Sequence, residues 1–145
     1  MAYTGRFSPR NPRKYRGNPT NIIYRSTWEC RVMNWLDTSE HIVEWGSEEF
    51  SIPYRSPVDG KMHRYFPDFY VKVRQKDDTI RTMVLEIKPH KQTVEPTKKS
   101  RVTKQYIQEV VTYGVNQAKW KYAEEFCKDR GWQFKVLTEH DLGIK

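Results

Sequence analysis

The feature that most constrains this chain is the run Ile80-Arg81-Thr82-Met83-Val84-Leu85-Glu86-Ile87-Lys88, set between a polar turn at residues 75–79 and Pro89. Its aliphatic and β-branched content makes it the strongest strand signal in the sequence, and Pro89 ends it. Side chains alternate along a strand, so Glu86 and Lys88 leave one face while Met83, Leu85 and Ile87 leave the other, which should be buried. Residues 63–74 read as a second strand, making a hairpin about the turn. Asp68 and Glu86 are equidistant from Asp77. If the connecting turn has an odd number of residues centred there, the two carboxylates face each other with Cβ atoms about 5 Å apart, where like charges repel. An even-numbered turn breaks the pairing. A divalent cation reverses the sign of that repulsion, and hard carboxylate oxygens are ligands that Mg2+ takes.

A helix is expected over residues 26–37, opened by Ser26 and Glu29 as a capping box. At about 100° per residue, Trp28, Val32, Leu36 and Met33 form one apolar stripe. Glu29 falls within it, the only charged residue pointing inward from that helix, while Arg31, Asn34 and Asp37 take the opposite side. The capping box alone accounts for Glu29 as well as an acidic site does; the other two carboxylates tip the balance to the site. Strands are expected over 42–47 and 50–55, the latter irregular or at an edge because of Pro53, with a turn at Asp59-Gly60. After a loop to residue 97, helices are expected over 98–112 and 116–130, broken at Tyr113-Gly114 and ended by Gly131. A last strand spans 132–137. This order predicts an α/β (α+β) domain with a mixed sheet flanked by helices.

The formal net charge of +8 is unevenly distributed. Residues 1–25 carry Arg6, Arg10, Arg13, Lys14, Arg16 and Arg25 and no acid, with three prolines and few aliphatic side chains. A segment so composed is expected to be a mobile basic arm before Ile22 that settles on nucleic acid or protein, with 23–145 as the folded domain. Tyr3, Phe7 and Tyr15 between the charges suit stacking on bases. A second basic cluster, Lys88, Lys91, Lys98, Lys99, Arg101 and Lys104, contains one acid, Glu95. A polyanionic partner is the expectation. No apolar run approaches the roughly 20 residues of a membrane span, and the first residues lack a secretory signal, so a soluble intracellular protein is expected. Cys30 and Cys127 are too few for a disulfide framework or zinc cluster and read as reduced core residues.

Taken in order, Glu29 on the first helix, Pro67-Asp68, and Glu86-Ile87-Lys88 resemble the signature of the PD-(D/E)xK nuclease superfamily. The flanks Tyr24-Arg25-Ser26-Thr27-Trp28-Glu29, Arg64-Tyr65-Phe66-Pro67-Asp68-Phe69 and Val84-Leu85-Glu86-Ile87-Lys88-Pro89 are similar to the branch containing the end-cleaving subunit of cut-and-paste transposases. Within that branch the chain most resembles the head-completion nucleases of T-even-like tailed phages, over about residues 20–140. The resemblance implies a restriction-endonuclease-like mixed central β-sheet flanked by helices, and a metal-dependent endodeoxyribonuclease with little base specificity. It implies that Asp68, Glu86 and the Ile87 backbone carbonyl hold Mg2+ (Mn2+ substituting), that Glu29 completes the shell or holds a second ion, and that Lys88 orients the attacking water. Cleavage should then leave a 5′-phosphate and a 3′-hydroxyl. Gln117 and Lys119 lie where related nucleases contact phosphate, a solvated helix face being the competing reading. With Lys91, Lys98, Lys99, Arg101, Lys104, Arg13, Lys14 and Arg16 they are the expected DNA-binding residues. The implied setting is phage head completion on double-stranded DNA, with portal or head-neck proteins as partners, in the host cytoplasm and then the virion head. Two other readings are a non-catalytic plug or adaptor at the head-tail connector and a junction or transposon-end nuclease.

Overall fold

A computed structural model describes residues 2–98 and 100–143. Its centre is a four-stranded mixed sheet in the order β3-β6-β7-β8, formed by Ile42–Ser47, Phe69–Arg74, Ile80–Ile87 and Gln133–Leu137. The first two pairings are antiparallel and β7-β8 is parallel. A parallel pair needs a crossover, supplied here by the 26-residue helix α2 (Lys104–Asp129). The other helix, α1 (Thr27–Thr38), buries Val32, Met33 and Leu36 in one core with Phe69, Val71, Leu85 and Ile87. On the opposite face, Trp120 and Ala123 of α2 pack with the β4-β5 hairpin (Ile52–Arg55 and Met62–Tyr65) and with Phe134 and Val136. Strand β7 is therefore covered on both faces: Val84, Leu85, Glu86 and Ile87 are all buried. The mixed sheet flanked by helices is the fold class expected from the sequence.

Three details differ from expectation. The two helices expected over 98–112 and 116–130 are one, starting only at Lys104, where the Thr103 hydroxyl accepts the Tyr106 N–H at 3.1 Å. Gly114 lies inside it; a mid-helix glycine costs about 1 kcal/mol, too little to interrupt a helix whose Asn116, Trp120, Ala123 and Cys127 are buried at helical spacing. The strand expected over 63–74 is divided into β5 and β6. Pro67 has no N–H to continue a ladder, so residues 66–68 cross from the hairpin to the main sheet.

The third difference is at the basic segment before Ile22, expected to be mobile. Here β1 (Ala2–Phe7) pairs antiparallel with β2 (Ile22–Ser26), and a 3-10 turn at Pro12–Lys14 lies between them. Tyr15 is 7% exposed and stands edge-on to the fully buried Trp45, ring centres 4.7 Å apart. The aromatic side chains Phe7 and Tyr15 supply the burial that the aliphatic content lacks. Asp37, expected on a solvated helix face, is 1% exposed beneath this segment. Its carboxylate accepts the backbone N–H groups of Arg10 (2.8 Å) and Asn11 (3.0 Å), and its carbonyl accepts Asn11 Nδ2 and Lys14 Nζ. No described helix is long and apolar enough to cross a membrane.

Candidate active site

The turn between β6 and β7 has the odd length that brings the two acids together. Pairing runs from Arg74↔Ile80 to Phe69↔Leu85 without a slip. The five intervening residues are centred on Asp77, whose carboxylate accepts the Thr79 N–H at 3.1 Å and hydroxyl at 2.6 Å. Asp78 takes the left-handed conformation (φ 69°) that such a turn requires. Continued one step beyond Phe69, this register sets Asp68 opposite Glu86. The two are cross-tied: Asp68 N–H donates to Glu86 Oε1 at 3.3 Å, and Ile87 N–H donates to Asp68 Oδ2 at 2.7 Å. Glu86 is 5% exposed, and Lys88 Nζ stands 3.6 Å from its Oε2.

Burial, followed by the charge of Glu86, raises the Asp68 carboxyl well above the usual range, while the Ile87 N–H only partly opposes it. Burial also raises Glu86, against the pull of Lys88. The pair is thus short of positive charge.

On this face of the sheet α2 supplies a second cation. Lys119 Nζ lies 5.8 Å from the Tyr54 ring centre and 5.7 Å from that of Tyr65, within cation–π reach of both. Burial lowers its pKa, and the charges of Glu86 and Asp68 raise it back in part. Tyr65 is 2% exposed, and its hydroxyl lies beside the Glu86 carboxylate. Burial, and then the charge of Glu86, push its pKa upward. Sequence reasoning placed Lys119 among the expected phosphate contacts, with a solvated helix face as the competing reading, and missed Tyr54 and Tyr65. Their nearness to Glu86 depends on how the hairpin and α2 pack, and nothing in local spacing signals it.

Glu29 is not drawn into the pair. Helix α1 covers the Leu85/Ile87 face, whereas Glu86 and Asp68 project to the other. Glu29 is half-buried; its Oε2 accepts the Arg25 N–H at 2.8 Å, and its own N–H donates to Ser26 Oγ at 3.1 Å. The capping box is present, with the return bond made to the Arg25 N–H in place of the Ser26 N–H, while the carboxylate also accepts the Ser26 hydroxyl at 3.4 Å. Glu29 influences Asp68 through its charge.

Among the described residues no three His, Cys, Asp or Glu side chains form a metal-binding group. A divalent cation bound by two carboxylates and completed by backbone oxygen and water nevertheless suits the donors present, because Mg2+ keeps several waters and takes one or two carboxylates. The raised proton affinity of the pair shows what such a cation offsets.

The remaining expected DNA-binding residues are dispersed. Lys91, Lys98, Arg101 and Lys104 are exposed along the approach to α2, and Gln117 is exposed on it. Lys99 lies outside the described residues. Arg13 is exposed, but Lys14 is tied to the carbonyls of Asp37 and Ser39, and Arg16 lies over the Tyr70 ring at 4.9 Å. Cys30 and Cys127 are both free thiols.

A profile of the family described as TnsA-like endonuclease N terminal matches residues 39–139, which include Asp68, Glu86, Lys88 and Lys119 but not α1. The head completion nuclease of Enterobacteria phage T4 is 42% identical over 146 aligned positions, covering 98% of this chain and 95% of that protein. Nucleases of this superfamily generally depend on a divalent metal. With a profile match over most of its length and a near-full-length relative, the chain belongs to the TnsA-like endonuclease family and is a DNA endonuclease.

Proposed function

We propose that this protein hydrolyses phosphodiester bonds of double-stranded DNA with Mg2+ held by Asp68, Glu86 and the Ile87 carbonyl, and that it works in the completion of a phage head. When bound, the cation supplies Lewis acidity toward a phosphate oxygen and eases deprotonation of water. Lys88 holds the attacking water and stabilises charge developing on the phosphate. Lys119 receives a neighbouring phosphate, and its seat against Tyr54 and Tyr65 restricts where that phosphate lies. Glu29 acts on the site through its charge and by fixing the start of α1. Lys91, Lys98, Lys99, Arg101, Lys104, Gln117 and Arg13 provide diffuse phosphate contacts, with Lys14 and Arg16 contributing positive field from the folded N-terminal segment.

Two ionised carboxylates beside the Lys88 and Lys119 ammonium groups leave a site with no net positive charge, which a dication converts to a positive one able to accept a phosphodiester. The observation that carries the proposal is the cross-tied Asp68–Glu86 pair with Lys88 Nζ 3.6 Å from Glu86 on the same strand. The phage setting, with portal or head-neck partners and passage from host cytoplasm to virion head, follows from likeness to a relative that is named for head completion.

Nicking of supercoiled plasmid in millimolar Mg2+ tests the proposal. Glu86→Ala and Lys88→Ala should each lower the rate at least about 100-fold while keeping native circular dichroism. Nicking by both variants at the wild-type rate overturns the site assignment. A wild-type protein that binds DNA but never cuts it points to a connector adaptor instead.

A further inference from the structure

Arg25 is linked to Asp68 through Glu48 and lies outside the residues matched by the family profile. Its backbone is fixed by the Glu29 carboxylate, which accepts its N–H at 2.8 Å. Its guanidinium pairs with the Glu48 carboxylate and also feels the charges of Glu29 and Asp68. The Arg25 side chain is 60% exposed. A guanidinium has five N–H donors in a planar fork, so pairing through one nitrogen leaves most of them open to an anion.

The partner is built unusually. Glu48 has φ 53°, a left-handed conformation that favours glycine. Its N–H donates to the Asp68 carbonyl at 3.2 Å, so the same residue is tied by its backbone to Asp68 and by its side chain to Arg25. An exposed ion pair returns less free energy than a left-handed glutamate costs. Stability therefore does not account for the arrangement. What it accomplishes is placement: the strained residue links an otherwise mobile guanidinium to Asp68, and strain of this kind concentrates where geometry serves function.

We infer that Arg25 contacts a phosphate of the DNA strand being cut, and that Glu48 is the positioning residue that holds its guanidinium beside Asp68 until that phosphate takes it. This rests on Asp68 and Glu86 being the reaction centre. A backbone phosphodiester presents a pair of non-bridging oxygens that matches the guanidinium fork as the Glu48 carboxylate does, with the same single charge, so the fork exchanges one partner for the other. With Lys119 arriving from α2 and Arg25 from the end of β2, the substrate strand passes between two cations across the carboxylate pair.

Binding of a linear duplex without divalent metal, followed by fluorescence anisotropy from about 50 to 200 mM salt, reads the contact independently of cleavage. Arg25→Ala should flatten the slope of log K against log salt by about 0.9, the equivalent of one phosphate. Its single-turnover cleavage in Mg2+ should fall about 100-fold. Arg25→Lys should restore the slope but only part of the rate, since a point charge lacks the fork. Glu48→Gln should slow cleavage in the wild-type background and not in Arg25→Ala. An unchanged slope in Arg25→Ala overturns the contact, and independent, multiplying effects of the two substitutions on rate overturn the positioning role of Glu48. Should Arg25→Ala melt well below the wild type, Arg25→Gln and Arg25→Lys give the same readouts. Asp68→Asn separates the two levels: if it still cleaves, the reaction centre is misassigned, while the salt slope continues to judge Arg25.

Discussion

Asp68 and Glu86 are each bonded to the other's strand, through Asp68 N–H to Glu86 Oε1 and Ile87 N–H to Asp68 Oδ2. The two acids are consequently held in place by backbone that belongs to the ladder itself. A cation held between them would not have to assemble the site; it would relieve an electrostatic burden that the fold already carries.

That burden has a pH signature. Asp68 and Glu86 have ordinary values of 3.8 and 4.5, and both are raised in the folded protein. The folded state thus holds protons more tightly than the unfolded chain. The stability contributed by the protonated pair is full below about pH 4, and it is lost as pH rises through the raised folded values. In chelator, Asp68→Asn should melt above the wild type at pH 8, with the gap closing toward pH 4, because Asn can still accept the Ile87 N–H. Millimolar Mg2+ should raise the wild-type melting temperature and leave the variant nearly unchanged. Scanning calorimetry at the two pH values checks both.

Asp37 anchors the N-terminal segment without touching the site. Asp37→Ala strips the acceptor from the Arg10 and Asn11 N–H groups and should cost about 1–3 kcal/mol. Trypsin should then cut sooner between Arg10 and Arg16, while plasmid nicking at 25 °C stays within about twofold of the wild type.

Gly114 offers the opposite sign. A Cβ there meets nothing within 4 Å, and the position lies inside α2. Gly114→Ala should stabilise the protein by about 0.5–1 kcal/mol, read as a higher denaturant midpoint with an unchanged slope.

Lys119→Met should separate charge from packing. The methionine stem can still cover the Tyr54 and Tyr65 rings, and removal of a desolvated ammonium should leave the melting temperature equal or higher. Cleavage should fall about 10-fold, and duplex binding should lose about one phosphate's worth of salt dependence.

Much of the site was legible because it is local. Strand alternation sets which way Glu86 and Lys88 point, and the symmetry of Asp68 and Glu86 about Asp77 anticipates a register that the ladder follows residue by residue. The capping serine of α1 was equally readable, since its bond spans three residues. What alternation cannot express is which element covers each face. The inward stripe of α1 led Glu29 toward the carboxylates, yet α1 packs on the far face of the sheet and α2 brings Lys119 to the near one. Asp37 looked solvated because the segment that buries it lies more than twenty residues away.

The sequence by itself determined the strand pair and the face that Glu86 and Lys88 share, because short-range stereochemistry orients a side chain relative to its own element; the meeting of Asp68 with Glu86 was conditional on an odd-numbered turn, which the structure supplies with five residues. Only the tertiary structure decided that Tyr65 and Lys119 would come beside that pair, with Tyr54 against Lys119, that Glu48 would link Arg25 to Asp68, and that α2 would run unbroken through Gly114. Those outcomes depend on how distant apolar surfaces are buried against one another, and that balance is not contained in the periodicity of any single segment.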